Sequence, residues 1–373
     1  MKVEYFKSLD GVRFLAVSLV LVEHWSGDAF SIPTGYLGVC MFFVLSGFLI
    51  TRILLKAKAQ DAQLERGHGF SLKQFYIRRT IRIFPIYYLT IFLLAIFNVP
   101  PVREKLIWCL TYSTNIYIAL NNTWLGSIDH LWSLAVEEQF YLFFPFVILF
   151  TPLKRIAKIL VIFIVGAILL RAFFFLNGSS WVVPYVLMPT ALDAFGLGGL
   201  LAYFAWSKNE KAIAVFQNTN YLVISLVLYL CVVYVVNYIG IANGYNFVIV
   251  IFLRFFEALF SVFLIGKLAF QGNNNTFFTK YITPLFTNKL SIYIGKISYG
   301  VYIYHNFVFN FYHSSPTHPT VRIWNKLNTL FPIIGDNMYL KIIYLYILVI
   351  FVASISWFLI EKPINKLKDK FDY

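Results

Sequence analysis

The stretch GYLGVCMFFVLSGFLITRILL, residues 35–55, decides the class of fold. No residue from Gly35 to Thr51 is charged. A helix rises about 1.5 Å per residue, so roughly 20 such residues cross a hydrocarbon core about 30 Å thick. Working outward, comparable stretches recur at about 9–26, 82–99, 131–150, 156–176, 182–206, 221–240, 245–267, 290–313 and 338–360. The composition agrees with this. Of 373 residues, 60% are apolar and 13% charged, with 40 Phe and 25 Tyr. A soluble domain needs about a quarter of its residues charged to cover its surface. A soluble globular enzyme, a disordered chain and a disulfide scaffold are therefore excluded. Cys40, Cys109 and Cys231 lie in or beside apolar stretches and form neither a disulfide framework nor a metal-ligand spacing.

The formal charge of +14 could indicate nucleic acid, but the charges form no continuous basic face and a membrane accounts for them better. Asp10, Arg13 and His24 interrupt the first stretch and no small-residue cleavage site follows, so it reads as a retained span. An eleventh stretch, 106–120, is short and carries Thr111, Ser113, Thr114 and Asn115. With that stretch outside and the N-terminus in the cytoplasm, 22 of the 31 Lys and Arg fall inside, five outside and four within spans. This is the asymmetry of the positive-inside rule. The expectation is an all-α polytopic helical bundle of about ten transmembrane helices with both termini cytoplasmic. It forms a single membrane domain over 1–373, with no appended soluble domain. No internal repeat of the inverted-transporter kind is present. The run 361–373 reads as a short basic tail, solvated at the anionic inner leaflet.

Ionisable groups at membrane depth are costly and mark candidate sites. In SLDGVRFLAVSLVLVEHW, Arg13 and His24 are eleven residues apart, close to three full turns, which puts them on one stripe about 16 Å apart along the axis. His24 suits proton transfer near neutral pH. The same placement also suits an interfacial histidine beside Trp25 and an arginine that snorkels. In HLWSLAVEEQFYLFFP, His130 and Glu137 share a face with Leu134 and Tyr141, while Glu138 points about 80° away. A carboxylate in that position can orient an imidazole. Arg78, Arg79 and Arg82 cluster at the cytoplasmic end of the third span. Guanidinium forks suit phosphate, and such a cluster is also an ordinary topology signal. His305 ends SYGVYIYH and is a candidate for a polar site or an aromatic packing face. Asp193, and Arg254 with Glu257, read as buried neutralising pairs. His68, His313 and His318 fall in loops.

Six segments, LDGVRFLAVSLVLVEH at 9–24, GYLGVCMFFVLSGFLIT at 35–51, RRTIR at 78–82, HLWSLAVEEQFYLFFP at 130–145, ISYGVYIYH at 297–305 and ISWFLIEKP at 355–363, occur in order over most of the chain. Together they resemble the acyltransferase-3 family of integral membrane acyltransferases, the type that O-acetylates bacterial surface polysaccharides. Cys40 departs from the pattern, because the family often has an acid there. The expectation is a stand-alone form, without the esterase-like extracellular domain that some members carry. The resemblance implies acyl transfer, most simply of acetyl, from cytoplasmic acetyl-CoA to a hydroxyl of a glycan or lipid-linked saccharide. It implies a multi-pass protein of the bacterial inner membrane that uses no metal. It points to His24 as the essential residue, Arg13 as its companion, and Arg79 and Arg82 as the arginines near the coenzyme.

The expected mechanism docks the phosphates of acetyl-CoA at Arg78, Arg79 and Arg82. His24, oriented by Glu137 or Glu23, then acts as general base for the acceptor hydroxyl. An acyl-histidine relay is the variant. Arg13 or Tyr141 is available to the oxyanion, and His130, Tyr141 and His305 are candidate lining residues. The competing class is a transporter or flippase of a glycan precursor, with Arg13, Asp193, Arg254 and Glu257 along its path. A non-enzymatic subunit of an envelope-assembly complex is a further rival.

Overall fold

A computed structural model describes residues 5–27, 33–238, 247–270, 276–315, 317–332 and 337–371. Every regular element among them is helical. Ten helices correspond to the ten apolar stretches: α1 Lys7–Ser26, α2 Thr34–Gln63, α3 Gly69–Ile96, α4 Leu131–Phe150, α5 Leu153–Leu176, α6 Leu192–Trp206, α7 Thr219–Tyr238, α8 Arg254–Ala269, α9 Lys289–Tyr304 and α10 Met338–Ser356. Eight segments, those containing α2 to α8 and α10, are long and apolar enough to cross a membrane. The chain is thus a multi-pass helical membrane protein. The other two expected spans, α1 and α9, are not among those eight for physical reasons. The first carries Lys7, Asp10, Arg13 and Glu23, and the second stops after 16 residues.

These two pack against each other. Helix α1 packs against α2 on one side and α9 on the other. The approach to α9 is close: a Cβ on Gly295 would strike the backbone of Asp10. Small residues at such contacts let membrane helices meet backbone to backbone, where van der Waals packing has to replace a hydrophobic driving force.

Three expectations change in detail. The stretch 182–206 is not one helix. It is a short helix Val182–Val186, a tight turn Met188–Ala191, and then α6. Pro184 and Pro189 supply no N–H, and the one Thr190 hydroxyl proton is shared between the carbonyls of Pro184 (2.7 Å) and Leu187 (2.6 Å) at the break. The stretch 290–313 is helical only to Tyr304, and His305–Phe307 forms a tight turn beyond it. The stretch 106–120 splits into Leu106–Leu110 and Thr114–Asn121, neither long enough to cross.

The expected basic tail keeps Lys362, Lys366 and Lys370 exposed, but it is also docked on the bundle. After α10 the chain continues through Trp357–Glu361, Lys362–Asn365 and Lys366–Lys370 and lies against α3. Glu361 is buried and accepts from Ser356 Oγ at 3.1 Å. Arg78 donates to the carbonyls of Lys368 (3.0 Å) and Phe371 (2.9 Å). The Lys368 carbonyl also accepts from the backbone N–H of Phe371 at 3.0 Å, and Arg78 Nη1 bridges the two carbonyls at this helical end.

Candidate active site

Helix α9 stops after Tyr304, which leaves its last carbonyls without intrahelical partners. Two histidines use them. His305 Nδ1 lies 2.5 Å from the Tyr302 carbonyl, and His130 Nε2 lies 3.1 Å from that of Ile303. Both histidines are buried, and their rings meet edge to face at 5.1 Å. The third member is His24, one turn from the end of α1. Its Nδ1 is 2.7 Å from His305 Nε2, with the rings stacked at 4.9 Å.

This geometry assigns the protons. A carbonyl only accepts, so His305 carries its hydrogen on Nδ1 and, when neutral, presents a bare Nε2. That lone pair accepts from His24 Nδ1–H. His24 Nε2 is then left with the free lone pair, the state a general base requires. By the same reasoning His130 Nδ1 is bare, and it is buried with no partner. His24 is partly exposed, unlike its two neighbours. The backbone N–H of Phe311 donates to the His24 carbonyl at 2.8 Å, and His313 pairs with Asp129 at 2.6 Å beside His130.

Glu137 does not orient His24. It sits two turns down α4 from His130, and its Oε1 accepts from Ser46 and from Tyr141, whose hydroxyls are 2.8 Å apart. Nor does Glu23, which accepts from the backbone N–H of Gly35 at 2.8 Å. The alignment of His130, Glu137 and Tyr141 on one helix face was legible, and Tyr141 is one of the two partners of Glu137. The partners on other helices, His305 for His24 and Ser46 for Glu137, gave no signal of pairing. Sequence spacing relates positions only within one helix.

Arg13 belongs to the other end of the site. It pairs with Asp10 at 2.5 Å and lines a cavity together with Arg79, Arg82, Glu137 and Tyr141. The Arg79 guanidinium lies 4.7 Å from the centre of the Tyr141 ring. This cavity ends at Ser133 and Tyr302, whose hydroxyls are 2.5 Å apart. The Tyr302 ring centre is 5.3 Å from that of His305. His24 is not part of the cavity wall, and one residue, His305, separates it from Tyr302. A second cavity shares Arg13, Leu49, Arg79, Arg82 and Tyr299 with the first and opens at the basic end of the bundle. Arg78 lines neither. Its guanidinium is engaged by the tail, so of the three expected phosphate ligands only Arg79 and Arg82 face the cavities.

The charges assigned to a transport path are arranged differently. Arg171 pairs with Asp193 at 2.6 Å, fully buried, and donates to the Thr190 carbonyl. Arg254 donates to Tyr36 and to the carbonyls of Pro184 and Tyr185, bracing the break before α6. Among the described residues the buried Glu257 carboxylate has no hydrogen bond, so the expected Arg254–Glu257 pair is not a hydrogen-bonded contact. Among the described residues no group of His, Cys, Asp and Glu could hold a metal ion.

A helical membrane bundle with a histidine cluster at one end and an arginine-lined cavity opening at the other is the class that fold and site define. Residues 6–361 match the family model described as an acyltransferase domain, and the chain belongs to this acyltransferase-3 family. It is similar to the peptidoglycan O-acetyltransferase OatA of Listeria monocytogenes, 29% identical over 326 residues, covering 81% of this chain and 49% of that protein. It is also similar to the O-acetyltransferase OatA of Staphylococcus aureus, 28% identical over 390 residues, covering 97% and 57%. The chain thus spans about half the length of the curated relatives it matches. No solved structure gives a match.

Proposed function

We propose that this chain is a membrane O-acyltransferase of the bacterial inner membrane. It moves an acyl group, acetyl in the first instance, from cytoplasmic acetyl-CoA to a hydroxyl of a surface glycan or lipid-linked saccharide. The names of the relatives make a peptidoglycan saccharide the first acceptor to test. The observation that supports this reading is that Arg79 and Arg82 line both cavities, that Ser133 and Tyr302 line the first, and that Tyr302 leads through His305 to His24.

The phosphates of the donor are held by Arg79 and Arg82, with Arg13 beside them. The thioester end reaches the Ser133–Tyr302 hydroxyls, which share one proton between them and direct the other at the His130 carbonyl. That second proton turns to the thioester carbonyl oxygen as negative charge develops. The acceptor arrives from the opposite end. His24 Nε2 takes the hydroxyl proton as that oxygen bonds to the thioester carbon. The C–S bond then breaks, and the proton passes to the departing thiolate, giving an ester and a free thiol. His305 holds His24 in the accepting tautomer, the role that Glu137 had been expected to fill.

The test uses purified protein in nanodiscs with radiolabelled acetyl-CoA and a peptidoglycan-derived oligosaccharide. Label should move to the saccharide with wild-type protein and not with His24→Ala. Wild-type transfer by a correctly inserted His24→Ala protein would overturn the reading. Omitting the acceptor distinguishes the acyl-histidine variant, because only that variant leaves label on the protein.

A further inference from the structure

The cavity at the basic end collects more positive charge than the arginine cluster alone. Lys296, from α9, and Lys368, from the segment after α10, line it together with Arg13, Arg79 and Arg82. Asp10 neutralises Arg13. Arg79, Arg82, Lys296 and Lys368 form no ion pair among the described residues. The buried Glu361 carboxyl lines the same cleft and offsets part of the charge of Arg82 and Lys368, so five cations face two carboxyls there. The excess cations repel each other, and the low-dielectric walls focus their field into the cleft. A polyanion in the cleft would relieve that repulsion.

Lys368 is not there by chance of a loose end. Arg78 binds the carbonyl of Lys368 itself, and the ammonium of Lys368 donates to Asn365 Oδ1, another residue of the cavity wall. The tail is thus fastened so that one of its lysines faces the cavity while Lys366 remains exposed outside it.

We propose that the docked tail, residues 362–371, is part of a phosphate-binding site, in which Lys368 and Lys296 hold the pyrophosphate-bearing nucleotide of the acyl donor alongside Arg79 and Arg82. This rests on the donor reading above. The same chemistry would suit the headgroup of an anionic lipid, so the experiment separates the two sources.

The affinity of acetyl-CoA for the full chain is measured calorimetrically in nanodiscs of phosphatidylcholine, which contain no anionic headgroups. It is repeated with S-acetylpantetheine, which lacks the nucleotide. Lys368→Gln and Lys296→Gln should each weaken acetyl-CoA binding on the order of fivefold, the size of one partly screened ion pair. Lys368→Arg should restore it, and Lys366→Gln should leave it unchanged. Neither glutamine variant should alter S-acetylpantetheine binding. Equal weakening toward both donors would mean that the lysines only support the fold, and the inference would fail. It also fails if the lysine effect appears only in nanodiscs containing phosphatidylglycerol, because a lipid is then the ligand. If wild-type protein binds acetyl-CoA and both lysine variants bind it as tightly, the tail inference falls alone. If wild-type protein does not bind acetyl-CoA, the donor reading itself falls.

Discussion

Replacing His305 with alanine tests the proton assignment most directly. The contact it removes is the 2.7 Å hydrogen bond from His24 Nδ1 to His305 Nε2. Without it His24 divides between two tautomers, and the one with hydrogen on Nε2 cannot accept a proton. A buried hydrogen bond whose loss leaves a polar group unsatisfied is worth about 1–3 kcal/mol, which corresponds to roughly 5- to 150-fold in rate. The ceiling is the whole contribution of the general base, about 10²- to 10⁴-fold. His305→Ala should therefore lower kcat by roughly one to two orders of magnitude, less than His24→Ala does. The KM for acetyl-CoA should stay constant, because the arginine-lined cavity lies beyond Tyr302. His305→Gln, whose amide oxygen can accept from His24 Nδ1–H, should recover part of the loss, a rescue that a purely structural role would not produce. Initial rates of labelled acetyl transfer in nanodiscs, with thermal unfolding followed in parallel, provide the readout. A folded His305→Ala protein with kcat within about twofold of wild type would refute the assignment.

Arg79→Ala and Arg82→Ala should each raise the KM for acetyl-CoA, on the order of tenfold for loss of a guanidinium–phosphate contact, with a smaller effect on kcat. Unchanged saturation curves would reduce the pair to a topology signal. Arg171→Ala should destabilise the bundle by about 3–5 kcal/mol because it strands a buried Asp193 carboxylate, and the combined Arg171→Met, Asp193→Leu protein should regain most of that stability. Thermal unfolding in detergent measures both, and equal melting of the single and double variants would contradict the pairing.

The membrane class and nearly all the helices were legible because lipid imposes length and apolarity, and both can be counted along a chain. The break within 182–206 was written in Pro184 and Pro189, but its cost is met by the Thr190 hydroxyl, a partner that hydropathy does not register. The histidines were visible as expensive polar groups. Their pairing was not, since His24 and His305 are 281 positions apart and meet only when α1 packs on α9. Glu137 was legible as a residue facing the interior and misassigned as to partner, because a helical face specifies direction and not what lies there. The tail lysines read as solvated, and Lys362, Lys366 and Lys370 are exposed. Its docking was not legible, because the acceptors that anchor it, the carbonyls of Lys368 and Phe371, belong to the backbone and have no compositional trace.

The two carbonyls that steer His305 and His130 come from adjacent residues, Tyr302 and Ile303, at the frayed end of α9. Neighbouring carbonyls in a helix diverge by about 100° around its axis. A single residue inserted or deleted between Gly300 and Tyr302 would therefore swing the Ile303 carbonyl away from His130 and the His305 ring away from His24, while the local contact between Tyr302 and His305 turns with the helix. The spot where one helix unwinds thus acts as an address for protons, and evolution can alter the chemistry here by shifting where that coil ends.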